Sequence, residues 1–290
     1  MRLQRIKEKV IEFFIRASGF VIVLFVALIF LFLLKDSIAF FKVYSVSAFL
    51  TGKDWLPISD PEKFGMIPLL IGSIYVTLTA ALIAIPLGVG TAMYIAEAAP
   101  AKMKIFLKSC VEMLASIPSV VLGFIGIVWL GPLIKDSFHL STGMCGLTGS
   151  LLLAFMALPT IISISEDAIR GVPKLYREAA YGLGATKWQM LWRVVLPAAS
   201  SGIIASIMLG IGRVVGETMV VMMVTGNSPV IPASIAVPLR TLTATIASEM
   251  GEAVKGSAHY SSLFAVGLIL FSITFVINLV ADMFLHRSKR

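Results

Sequence analysis

The sequence predicts an all-α, polytopic membrane protein with six transmembrane helices. Composition and charge placement carry that prediction. Of 290 residues, 58% are hydrophobic and 14% are charged, where an ordinary soluble domain carries roughly 25% charge. Disorder needs the opposite balance, and a single soluble globule would have too few charges to cover its surface. The charges also leave long gaps. Ala17–Leu34, Phe64–Ala96, Met113–Ile134, Ser137–Ser165, Val194–Gly212 and Gly256–Ala281 contain no Asp, Glu, Lys or Arg. A spanning helix needs roughly 20 mostly apolar residues, and each gap meets or approaches that length. The two cysteines, Cys110 and Cys145, are too few for a disulfide scaffold. No Cys/His spacing points to a metal, so neither a metal nor a bound cofactor is expected in this chain.

Each element follows in order. Residues 1–16 place Leu3, Ile6, Val10 and Phe13 or Phe14 at helical spacing, with basic residues between them. That pattern predicts an amphipathic arm lying on the inner membrane surface, with lipid as its partner. The first gap is longer than the roughly 7–15 residues of a signal-peptide core, so it reads as a retained first span. Within 17–66, the stretch 36–66 is mixed in charge and carries Trp55, Pro57 and Pro61. It reads as an irregular outer segment. In the third helix, Pro118 predicts a kink, while Gly123 and Gly126 would open space beside a pathway. A further uncharged run, Thr218–Leu239, soon meets Gly226, Asn227, Ser228, Pro229 and Pro232. That cluster is a loop signal, so the fifth helix is drawn over Ala198–Val224. Residues 225–260 then suggest a short or re-entrant helix before the sixth span. A basic tail, 286–290, closes the chain.

Orientation follows the basic residues. The arm, the 2–3 loop, the 4–5 loop and the tail hold 16 of the 24 Lys and Arg, and the opposite loops hold seven. Both termini are therefore expected in the cytoplasm. The net charge of +8 is absorbed by this asymmetry, and no nucleic-acid partner is implied. Cys110 and Cys145 fall at opposite faces and should not pair.

The one remaining basic residue is Arg213, which the helix assignment places inside the membrane with Glu217. A charge there costs at least about 2.5–3.5 kcal/mol. Four residues apart on one helix, the two would share a face and could pair. From Ala198 they lie about 22 and 28 Å along the helix axis. Gly216, with Gly212, has the spacing of close helix packing. Either the pair only holds the bundle together, or Arg213 offers a forked set of donors to an oxyanion in a pathway. The candidate pathway residues are Arg213, Glu217, Thr218, Gly216, Ser119 and Pro118. Thr160 and Asn278 are polar as well, and an interhelical hydrogen bond accounts for each.

The 4–5 loop, 166–197, is the most specific signal. It reads Glu178-Ala179-Ala180, then Gly184, then Val194, Leu196 and Pro197. Arg177 through Ala180 favours helix, Gly182 and Gly184 can end it, and 187–195 can form a second short helix. The product is a helix–glycine–helix knob. This spacing resembles the EAA motif of binding-protein-dependent ABC importer permeases, with Val194 where that motif has Ile. The resemblance implies a type I importer permease (MetI-like) fold. It further implies that Glu178, Ala179, Ala180, Gly184, Leu196 and Pro197 couple to an ATPase. No Gly-x-x-x-x-Gly-Lys-Ser/Thr loop occurs, so ATP and Mg would belong to that separate subunit, and this chain is not itself an enzyme.

A narrower resemblance rests on Gly212-Arg213-Val214-Val215-Gly216-Glu217-Thr218-Met219, on Gly226-Asn227, and on the segment from Arg240 to Met250. These look like the PstC-type permease subunits of phosphate importers, and Ser116-Ile117-Pro118-Ser119 looks like a motif shared with the sister PstA type. The resemblance covers a core of 67–285. It implies a PstA-like sister permease, a PstB-like ATPase dimer, a PstS-like outer phosphate-binding protein and a prokaryotic inner membrane. A permease for sulfate, tungstate or molybdate, or a passive anion channel, remains compatible with the residues themselves.

Overall fold

The computed structural model describes residues 2–287, with side chains over 11–283. Among these, six helical stretches are long and apolar enough to cross a membrane: Ile11–Phe41, Ile67–Ala98, Ser119–Phe138, Gly146–Gly171, Lys187–Gly216 and Ala258–Met283. The spans belong to α1 (Arg2–Phe41), α3 (Ile67–Met93), α5 and α6 (Ser119–Ile125, Gly131–Phe138), α7 (Gly146–Gly171), α9 and α10 (Lys187–Met190, Leu196–Gly216) and α13 (Ala258–Arg287). Shorter helices connect them: α2 (Val46–Thr51), α4 (Ala101–Ala115), α8 (Lys174–Gly182), α11 (Met219–Val224) and α12 (Leu242–Glu249). Among the described residues there is one strand pair, β1 (Trp55–Leu56) with β2 (Lys63–Phe64), and it is antiparallel.

α7 is the axis of the bundle. Of its most apolar window 61% is buried, whereas none of the corresponding window of α1 is. α7 packs along α3 and α10, and α1 joins the bundle through α13. Ile161 of α7 explains the close approach. A Cβ at Gly88 of α3 would lie 2.7 Å from Ile161 Cγ2, and one at Gly210 of α10 would lie 2.7 Å from Ile161 Cγ1. Two glycines thus admit one branched side chain from both sides. Gly216, expected to pack, has open space beside it. Helix contact in α10 runs instead through Gly210 and Gly202, where a Cβ would meet Ala168 Cβ at 2.4 Å.

Three π-helical turns, Tyr94–Ala98, Gly126–Leu130 and Leu191–Val195, each end two residues before a proline: Pro100, Pro132 and Pro197. A proline ring collides with the carbonyl four residues back and cannot bond it. At Pro132 and Pro197 the widened turn moves that carbonyl aside and the helix continues, whereas before Pro100 the helix ends at Ala98. The second helix expected in the 4–5 loop is therefore not separate. It passes through the third π turn into the fifth span.

Several expectations change. The arm is continuous with the first span, because α1 runs unbroken from Arg2 to Phe41. Side chains of residues 1–10, and of the tail 286–290, lie outside the described residues. The segment 36–66 is ordered: Phe40, Phe49, Trp55 and Phe64 are each buried and pack edge-on in one aromatic cluster. That cluster gives the end of α1 and the hairpin a shared apolar core. Pro118 does not kink a helix. It stands just before α5 with an extended backbone (φ −62°, ψ 137°) and opens the third span, its carbonyl accepting from Val121 N–H at 3.0 Å. Gly123 and Gly126 do not open space either, since a Cβ at either would strike Met223 or Val224. The interior prolines are Pro86 in α3 and Pro159 in α7. Both cysteines are unpaired, as expected, and α12 supplies the short helix expected within 225–260.

Candidate functional site

Two constructions bear on function, one at each level of the bundle. The first is the α8 loop. α8 ends in a Schellman arrangement. Ala185 N–H donates to Ala180 O at 3.1 Å and Gly184 N–H to Tyr181 O at 2.9 Å. Gly184 takes φ +78°, the left-handed conformation that a Cβ disfavours. The interval from Ala180 to Gly184 is thus the interval from the last helical turn to its terminator. Gly182, also a candidate breaker, stays helical. Thr186 then starts α9 with a capping box: its hydroxyl accepts from Gln189 N–H, and Gln189 Oε1 accepts from Thr186 N–H. Thr-x-x-Gln is a readable start signal that the glycine spacing overshadowed.

Ala180 is buried against Met190, Leu191 and Val195, so its small side chain sets how close α8 sits to the fifth span. Glu178 and Ala179 face outward, as do Leu175, Tyr176, Tyr181 and Leu183, the last 90% exposed. An apolar face on a loop knob is a surface that calls for cover. Leu196 and Pro197 are the first two residues of α10.

The second construction is where α10 ends. The fifth span does not continue to Val224. It stops at Gly216, and Glu217 takes an extended backbone (φ −70°, ψ 131°). The break is held by two polar contacts. The Glu217 carboxylate accepts from Met219 N–H at 3.1 Å and Val220 N–H at 3.3 Å, capping α11. Thr243 Oγ1 donates to Glu217 O at 2.9 Å. A side chain that bonds nearby backbone competes with helix, and here it wins because Thr243 takes up the carbonyl. Irregular backbone at membrane depth needs such satisfaction.

The expected Arg213–Glu217 pair is consequently absent. Arg213 is exposed in the isolated chain, and its guanidinium donates to Thr160 Oγ1 of α7 at 3.4 Å. Among the described residues no carboxylate pairs with it. Thr160 does make the interhelical bond expected of it, and its partner is Arg213. Asn278 Oδ1 of α13 comes close to Gly212, 3.7 Å from where a Cβ would stand. Thr218 Oγ1 donates to Gly216 O at 3.3 Å. Ser119 and Pro118 make no described hydrogen bond with Arg213 or Glu217. Among the described residues no group of His, Cys, Asp and Glu could hold a metal.

Comparison with known proteins agrees with this architecture. The family model described as binding-protein-dependent transport system inner membrane component matches residues 84–290. A Bacillus subtilis protein, "Probable ABC transporter permease protein YqgH", is 41% identical over 241 residues, covering 83% of this chain and 78% of that one. The "Phosphate transport system permease protein PstC" of Mesorhizobium japonicum is 40% identical over 259 residues, covering 83% and 78%. That of Pasteurella multocida is 33% identical over 310 residues, covering 99% and 95%. Among solved structures, a chain of the inward-facing MetNI methionine ABC transporter superposes with a TM-score of 0.60 at 21% identity, covering 80% of this chain and all of that one. A bacterial alginate ABC importer gives 0.57 at 15% identity, covering 89% and 88%. The chain belongs to the binding-protein-dependent transport system inner membrane component family. It has the MetI-like permease fold and is a multi-pass membrane transport component.

Proposed function

We propose that this chain is a permease subunit of an ATP-driven importer of inorganic phosphate. It forms half of the translocation pathway beside a homologous PstA-like permease. A PstB-like ATPase dimer docks on α8 and its counterpart, and a PstS-like binding protein delivers phosphate at the opposite face. Both termini are cytoplasmic in a prokaryotic inner membrane. ATP and Mg act in the ATPase, and this chain binds no cofactor. The substrate assignment draws on the phosphate-system relatives and on one feature of the site. Arg213 is a spanning-helix cation whose only described side-chain partner is the neutral Thr160. A guanidinium has five donors in a fixed fork, and most of these remain available to a tetrahedral oxyanion. A neutral substrate would leave such a charge without purpose in an apolar setting.

In this reading, closure of the ATPase dimer displaces the two knobs and tilts the spans they carry, so the pathway opens outward to accept phosphate. Glu217 does not hold Arg213. It keeps the break after Gly216 open, so that Arg213 stands at a helix end. The test is phosphate uptake by vesicles carrying the four-component complex, with and without ATP. ATP-dependent uptake that excess sulfate, tungstate and molybdate leave intact supports the proposal. Uptake without ATP would indicate a passive channel, and competition by another oxyanion would reassign the substrate.

A further inference from the structure

Arg177 stands immediately before Glu178-Ala179-Ala180, on the face of α8 turned toward the bundle. It makes four hydrogen bonds. Nε and Nη2 both donate to Glu97 Oε1, at 2.9 and 2.6 Å. Nη2 also donates to Ile169 O at 2.8 Å, and Nη1 to Val172 O at 2.5 Å. The side chains of Arg177 and Glu97 are 17% and 13% exposed. Glu97 lies in the π turn that ends the second span, and Ile169 and Val172 bracket the end of the fourth. The described side-chain hydrogen bonds from α8 to other elements all come from Arg177. Apart from the covalent chain, which enters α8 from α7 through Val172 and Pro173, the remaining grip is the apolar contact of Ala180 with the start of the fifth span, which resists pulling only weakly.

We propose that Arg177 and Glu97 form the link through which a pull on α8 reaches the second span, while the bonds of Arg177 to Ile169 O and Val172 O brace the junction of α8 with the fourth. This inference rests on reading α8 as the ATPase-docking element. Apolar contacts transmit a push, but a pull needs directional bonds. A partly buried, charge-assisted, forked set is the strongest kind available to side chains. Its anchor points also suit the task. The fourth span is α7, the most buried helix of the bundle, and the second packs along it. One guanidinium therefore joins a mobile knob to the two spans that form the centre. The carbonyls it holds, of Ile169 and the capping residue Val172, lie at the C-terminal end of α7, where a cation is favoured. Arg177 is thus a positioning residue and need not touch substrate or ATPase.

The test uses the whole complex in vesicles, with R177K and E97Q in this chain. R177K keeps the charge but replaces a fork with a point of donors. E97Q keeps the shape but removes the charge. Three quantities are read from one preparation: ATPase co-purification, ATP hydrolysis, and phosphate taken up per ATP hydrolysed. The expected result is native co-purification and hydrolysis within about twofold, with uptake per ATP falling about tenfold, a coupling change of ordinary size for linked sites. Native uptake per ATP in both variants would overturn the proposal. Loss of ATPase from both complexes would also overturn it, because the bonds would then serve assembly alone. The docking reading fails separately, if G184W leaves the ATPase bound.

Discussion

Arg213 and Glu217 lie four residues apart and do not pair, because the helix that would bring them together ends between them. Glu217 turns its carboxylate to the first N–H groups of α11, and Arg213 reaches across to Thr160 on α7. The two charges therefore have separable tasks, one toward substrate and one toward backbone.

Removal of the guanidinium should act on transport and not on folding. R213Q is expected to lower phosphate uptake about ten- to a hundredfold, the equivalent of one charge-assisted hydrogen bond of roughly 1.5–3 kcal/mol. R213K should fall between, since it keeps charge and loses the fork. Thermal unfolding of the detergent-purified complex should be unchanged, because Arg213 is exposed and its bond to Thr160 is long. Initial uptake rates at several phosphate concentrations check this.

Glu217 should behave in the reverse way. E217A removes a capping acceptor and is expected to cost about 1 kcal/mol, while E217Q retains an oxygen for Met219 N–H and should cost less. A double-mutant cycle of R213Q with E217Q should be additive within about 0.5 kcal/mol. A larger coupling energy, measured by chemical or thermal unfolding, would mean that the two charges do pair in the membrane.

This pair also marks the limit of what the residues alone disclose. The six spans were legible because each holds a long stretch without charge, and the α8 knob was legible because a helix terminator must sit at a set distance from the helix it ends. The break at Glu217 was not. The run from Thr218 to Val224 is as apolar as a continuing helix, and the contact that holds the break open comes from Thr243, far along the chain. The order in 36–66 was hidden for the same reason. Phe40, Phe49 and Phe64 look like scattered aromatics until the hairpin folds back on α1. Pro118 read as a kink because nothing local says that the preceding helix stops at Ala115.

Ile161 should be the pivot of helix packing. G210A places a Cβ 2.7 Å from Ile161 Cγ1, and the side chain cannot retreat because Gly88 confines it on the other side. Overpacking of this kind costs about 1–3 kcal/mol. I161A alone leaves a cavity and should also destabilise, by about 2–5 kcal/mol. The double variant should be more stable than the sum of the two losses, since the new methyl enters space that Ile161 vacated. Melting temperatures of the four complexes give the coupling directly.

The outer face of Leu183 gives a separate handle on docking. It is 90% exposed and sits at the turn that Gly184 terminates. L183D should leave the fold intact, because no buried contact is lost, yet reduce ATPase co-purification. G184A should reduce it less, through roughly 1 kcal/mol of strain at a positive φ. If L183D retains the ATPase at native stoichiometry, the apolar face of α8 is not the docking surface.

At the far end of the bundle, Glu249 gathers four segments. Trp55 Nε1 donates to its two oxygens at 3.1 and 3.0 Å, His259 Nε2 lies 2.9 Å from Oε2, and Arg240 forms an ion pair with Oε1. These partners come from the hairpin, the start of α13 and the strand of chain before α12. Glu249 and Arg240 are 13% and 17% exposed, so water replaces little of what a substitution removes. E249A leaves the Trp55 N–H without its acceptor and Arg240 with only Asn227 O, and for this partly buried pair the cost is at most the roughly 3–5 kcal/mol of a fully buried one. E249Q keeps an acceptor and should cost less, while W55F loses a donor to the carboxylate, roughly 1.5–3 kcal/mol, and ring volume from a buried site. E249A is therefore expected to destabilise most, with E249Q and W55F below it, read by thermal unfolding and by protease cleavage within 52–66. Equal losses from all three would mean that the apolar cluster around Phe64, not the carboxylate, holds this face together.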